Sequence, residues 1–165
     1  MATLALVNAL NCSYPANNAA SRVEYNNTRR ELAISFDGAT AQSITGALIA
    51  ASGLTTPLTL TGMVIFPTAT SGSAVFEASI MAVSSGDALN LITTESFDTV
   101  NVSAAINAPA TVGNPISFSI TLTNNDAISA GDFVVIRITR KVADASDTIA
   151  TEAYLLAARL DDARS

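Results

Sequence analysis

Any chemistry in this chain must be drawn from 14 acidic side chains, one cysteine and no histidine. Without an imidazole, a Ser-His-Asp relay has no base. Zinc held by Cys and His would find only Cys12. A pair of carboxylates remains as a route to acid–base work, as in glycoside hydrolysis. Yet Asp37, Asp87, Asp126, Asp132 and Asp144 stand in turn-like stretches, where Asp is favoured because its short side chain bonds neighbouring backbone. Asp144, Asp147, Asp161 and Asp162 gather near the end of the chain, but their spacing matches no calcium loop, and turn capping accounts for them. The glycines are scattered singly, so no loop cradles phosphate. The expectation is therefore no catalytic residue, no cofactor and no metal ligand. Sugar stacking would have to use Tyr14, Tyr25 or Tyr154, since Trp is absent.

The charge is sparse and unevenly placed. Only 13% of the 165 residues are charged, against about 25% in an average globular domain, and the net charge is −6. From Leu32 to Ile136 there is no Lys or Arg, while Arg22, Arg29 and Arg30 lie before that stretch. A body of this kind offers no basic patch to phosphates, which excludes nucleic acid as an expected partner. No run is long and apolar enough to cross a bilayer, so no membrane partner is expected either. No secretory leader pattern opens the chain, which points to synthesis in the cytoplasm. A surface so poor in ions suits burial in an assembly, and a homo-oligomer is expected.

The elements are strands. In PISFSITLTNND, Ile116, Phe118, Ile120 and Leu122 alternate with Ser117, Ser119, Thr121 and Thr123, giving one apolar and one hydroxyl face. Val134, Ile136 and Ile138 alternate in the same way with Phe133, Val135, Arg137 and Thr139. The last strand places Tyr154, Leu156, Ala158 and Leu160 on one face. Val100 and Val102 are expected on the inner face of another. LTLTGMVIF is apolar on both faces in its later half, as a central strand is. The segment from Gln42 to Ala51 is Ala-rich and reads equally as a short helix or as irregular structure. About eight strands separated by Gly, Pro, Asn, Ser and Asp turns predict an all-β fold, an antiparallel β-sandwich of jelly-roll type. Its dry interface would include Leu32, Ile34, Phe36, Phe118, Ile136, Leu156 and Leu160.

ATSGSAVFEASIMAVSSGDALN and TLTNNDAISAGDFVVIRITRKVADASDTIATEAYLLAARLDD resemble jelly-roll structural proteins of tailed bacteriophages. In that group an Ala-Gly-Asp turn, here Ala130-Gly131-Asp132, leads into an apolar strand ending in Arg, here Arg140. A loop ending in Asp-Thr, here Asp147-Thr148, precedes the last strand. The resemblance spans roughly residues 71–162. It implies a structural virion protein on the capsid surface, a homotrimeric decoration (cement) protein that binds the major capsid protein. The alternative it implies is a tail or fibre module that recognises a cell-surface glycan.

Residues 1–29 are expected to form an arm and linker outside a sandwich at 30–165. Leu4, Leu6, Val7 and Leu10 have no obvious place in that sandwich, and NCSYPANNAAS suits an extended connection. An arm of about 20 residues reaches roughly 60 Å. Leu4, Leu6, Val7, Leu10, Arg22, Arg29 and Arg30 are therefore the expected partner contacts. The competing expectation is that Leu4–Leu10 adds an edge strand to its own sheet.

Overall fold

The computed structural model describes residues 3–26 and 28–163. Met1, Ala2, Asn27, Arg164 and Ser165, which the expected domain boundaries include, lie outside the described residues. Among the described residues there are twelve strands and no helix. They are β1 (Thr3–Val7), β2 (Ser21–Asn26), β3 (Glu31–Phe36), β4 (Ser43–Ile49), β5 (Leu58–Ile65) and β6 (Ser73–Ala74). The rest are β7 (Phe76–Val83), β8 (Asn101–Val102), β9 (Ile106–Asn107), β10 (Ile116–Leu122), β11 (Phe133–Arg140) and β12 (Ala153–Asp161). One sheet has the order β10-β5-β12-β3-β2, with β1 also on β12, and the other β4-β11-β7-β8. β6 and β9 form a separate pair. All named strand pairs are antiparallel. The all-β sandwich is thus present, and the strands not assigned to it from sequence are β4, the short β6–β9 pair and the two N-terminal strands.

Alternation builds the core where it was read. Phe118, Ile120 and Leu122 of β10 are buried, as are Val134, Ile136 and Ile138 of β11. Phe36, Phe76 and Phe118 meet at the centre: the first two rings pack edge to face at 5.3 Å, the second and third stack at 5.2 Å. Such pairs add about 0.5–1.5 kcal/mol beyond the area they bury.

Four expectations need correction. The Gln42–Ala51 segment is neither helical nor irregular, because Ile44 and Gly46 face the core from β4, which pairs with β11 from Ser43↔Thr139 to Ile49↔Phe133. Val100 and Val102 face outward: the buried side chain of β8 is Asn101, which accepts from Asn124 N and donates Nδ2 to Asn124 O. In β12 the inward residues are Ala153, Leu155, Ala158 and Leu160, because a bulge makes Leu156 an extra residue and reverses the alternation. Leu156 is consequently only half-buried, as is Leu32.

The fourth concerns the arm. β1 pairs with β12 from Thr3↔Asp161 to Val7↔Ala158, and β2 pairs with β3. Val7, Ala9 and Ala20 belong to the buried core. The boundary expected at residue 29 therefore cuts the β2–β3 hairpin, and Leu4–Val7 is a strand of the sandwich's own sheet.

The largest fully buried side chain among the described residues is a charged one. Arg140 is fully buried at the end of β11, and its five N–H donors all have acceptors. Nε and Nη2 hold Asp147 Oδ2 and Oδ1 at 3.0 and 2.8 Å. Nη1 donates to Thr151 O at 2.6 Å and Asp37 O at 3.3 Å, and Nη2 also donates to Ile149 O. Asp147 in turn accepts from Val75 N. Replacing Arg140 by Met should lower stability by about 3–5 kcal/mol, since it leaves a buried carboxylate without its charge partner. Urea unfolding followed by circular dichroism measures the loss.

Candidate functional site

β12 changes neighbours partway along its length. One edge bonds β5 throughout, while the other bonds β3 at Ala153–Leu155 and then β1 at 158–161. The bulge at Leu156 falls at the changeover. There β3 and β1 part, and a cleft of about 430 Å³ opens between them, floored by Leu32, Leu156 and Ala157. One wall is the Asn8–Leu10 turn, and the other is Tyr25 with the Arg29–Glu31 corner.

Both walls are held by short-range hydrogen bonds. Asn8 Oδ1 accepts from Leu10 N at 2.8 Å, and Asn11 returns its Nδ2 to Leu6 O. That turn leaves Leu10 78% exposed at the rim. On the other side Asn26 Oδ1 accepts from Thr28 N and Arg29 N, and Arg30 takes a left-handed conformation (φ 56°) with its N–H on Asn26 O. Asn favours such local bonding, so the turn is set by sequence.

The polar side chains of this corner are linked to one another. Tyr25 OH donates to Glu31 Oε2 at 2.6 Å, and Arg29 Nη2 donates to the same oxygen at 3.2 Å. Arg30 pairs with both oxygens of Glu24, at 2.9 and 3.3 Å. These ion pairs are exposed, so each contributes only about 0–1 kcal/mol to stability. What they do supply is orientation: planar donors and acceptors fixed beside an aromatic ring. Such a surface suits a polyhydroxylated ligand, whose hydroxyls both donate and accept.

The expected contact residues therefore divide. Leu10, Arg29 and Arg30 come together at this cleft. Leu6, 53% exposed, lines an adjoining apolar cleft with Met63 and Arg159, and the two clefts share Ala157. Arg22 is exposed on β2, Leu4 packs partly against the core, and Val7 is buried and unavailable to a partner. Asn8 and Glu31 were not singled out from sequence: Glu31 pairs with Asn26, and Tyr25 reaches it only because the β2–β3 register shifts at Tyr25, which no local spacing signals.

No family model matches the chain, and no curated protein matches it. Among solved structures it is similar to the CBM22-1 xylan-binding domain of Paenibacillus barcinonensis Xyn10C, with 8% identity and a TM-score of 0.50 over 99% of this chain and 96% of that one. The two share a β-sandwich fold. Weaker likenesses are a carbohydrate esterase from the Shiga toxin-encoding bacteriophage phi24B, at 14% identity and TM-score 0.47, covering 98% of each chain. Another is the tailspike protein 4 of bacteriophage CBA120, at 9% identity and TM-score 0.44, over 92% of this chain and 19% of that one.

The tyrosines titrate high. The Tyr25 phenol is raised above its ordinary value, mainly by its hydrogen bond to Glu31. Burial pushes Tyr14 up to about 12, and burial also raises Tyr154. The folded state thus favours the neutral phenol. That contribution is present below about pH 10 and is lost as pH climbs through the raised values. Phenolate absorbance should therefore start to rise only above about pH 10, and Glu31→Gln should move one tyrosine back down.

Proposed function

We propose that this protein is a non-catalytic glycan-recognition module that takes its ligand in the cleft between the Asn8–Leu10 turn and the Tyr25–Glu31 corner. The single observation that carries this reading is the polar corner, where Tyr25 and Arg29 both bond Glu31 beside the apolar Leu32, Leu156 and Ala157. Pockets that bind small ligands are built this way, with an apolar lining and a few oriented polar groups. The shared fold with a xylan-binding domain supports the reading as an analogy of fold.

The winding of the chain fits the jelly-roll form expected from sequence. Strands β3, β12, β5 and β10 face β4, β11, β7 and β8, with successive strands mostly alternating between sheets. The resemblance of residues 71–162 to tailed-phage structural proteins supplies a setting, a tail or fibre that touches a host glycan. The same resemblance implies capsid decoration, whose expected hold on the shell was a free arm; β1 and β2, which make up much of that arm, are instead paired within the sheet.

A glycan array read alongside co-sedimentation with empty capsid shells separates the two roles. Binding on the array, weakened at least about tenfold (1.4 kcal/mol) by Tyr25→Ala or Arg29→Ala, is the expected result. Co-sedimentation with shells and silence on the array would overturn the reading in favour of decoration.

A further inference from the structure

β4 is an edge strand that the chain itself covers along only half its length. Its Ser43 and Thr45 turn their backbone groups away from β11 and bond the 13–20 segment. Thr45 exchanges both bonds with Ser13, Ser43 N donates to Asn18 O, and Ala20 N donates to Ser43 O. By the two-residue period of a strand, Ala47 and Ile49 turn theirs the same way. Among the described residues, no strand is paired with them on that side.

Natural edges are blunted by lysine, proline, a bulge or covering chain. Here the covering chain stops at Thr45, and no charged residue or proline stands between Gly46 and Thr56. The side chains add a second signal. Ile49 is 64% exposed, and Ala47 is exposed beside it. On the same outer face the ladder runs Ile49↔Phe133↔Val83 and Ala47↔Val135↔Met81, two apolar rows across three strands.

We propose that a second copy of this chain pairs with this open edge, antiparallel about a two-fold axis at Leu48, so that Ala47 of one copy faces Ile49 of the other. The register follows from the edge. Residues 47 and 49 both point their N–H and C=O outward, so this pairing makes four backbone hydrogen bonds and leaves the Ser43–Thr45 cover in place. It also joins the rows: Val83, Phe133 and Ile49 of one copy continue into Ala47, Val135 and Met81 of the other. The apolar row then crosses the axis without a charge. An edge that meets itself gives an isologous contact, which closes at two copies. It does not depend on the glycan cleft, which lies on the other sheet.

The experiment uses the whole chain in a Cys12→Ser background. Sedimentation velocity over a concentration series should show twice the chain mass, and Ile49→Lys should return it to one with the far-UV spectrum unchanged. Register is tested by mixing the single variants Ala47→Cys and Ile49→Cys under oxidation. Directly opposed residues of a hydrogen-bonded pair stand about 5.5 Å apart at Cα, within disulfide reach, so the mixture should cross-link far more than either variant alone. A monomer at every concentration would overturn the proposal. So would a trimer that Ile49→Lys leaves intact, or single variants that cross-link as readily as the mixture. If Ile49→Lys fails to fold, the cysteine mixture decides.

Discussion

The Arg140–Asp147 pair is the constraint on which this end of the sandwich depends. A buried guanidinium is costly to desolvate, and it is tolerated only when every donor is met. Here the acceptors come from widely separated parts of the chain: the Asp37 corner after β3, and Asp147, Ile149 and Thr151 before β12. Asp147 adds the start of β7 through Val75 N. Ser73 fastens the same loop, accepting from Thr148 N and donating Oγ to Ser146 O. The loop has no room to drift. A side chain at Gly38 would meet the backbone of Ala150 and Thr151, and Gly72 lies against Thr148 with φ at +86°. One charged side chain thereby stands in for the regular pairing that the irregular 141–152 segment lacks.

That arrangement was half visible in the sequence. The Arg at the end of an apolar strand and the Asp-Thr closing the next loop stood out as a motif, although nothing in their spacing said that they touch. Strands with unlike faces, such as β10 and β11, were legible because burial repeats every second residue. β12 was legible only beyond its bulge, where Ala158 and Leu160 face inward as read, whereas before it the inward residues are Ala153 and Leu155 rather than Tyr154 and Leu156. Across the bulge the faces are exchanged, and the partner that imposes the bulge is β5, about ninety residues earlier. β4 was obscured by Ala and Gly, whose small side chains carry little facial contrast. In β8 a buried Asn101, paid for by its bonds to Asn124, inverted the expected faces.

The cleft was legible in its parts and hidden in its assembly. Arg29, Arg30 and Leu10 were picked out for charge and hydrophobicity, and Tyr25 as a possible platform. What joins them is the divergence of β3 from β1 across β12, a property of sheet pairing rather than of any segment. The same divergence explains why Leu32 and Leu156, read as core, end as a floor open to solvent. Residues assigned to an arm became walls because β1 found a place in the sheet.

The position of β12 also bears on how the chain folds. It is the last of the twelve strands, yet it lies in the interior of its sheet, between β5 on one side and β3 and β1 on the other. Until it arrives, β5 and β3 have no common neighbour, and β1 has nothing to pair with. Most of the contacts that close this sheet span more than ninety positions, and such non-local closure is slow because its loop entropy is spent before its contacts form. During synthesis the earlier strands must wait with their inner edges unpaired, so the interval before β12 emerges is when the chain is most open to association with other chains.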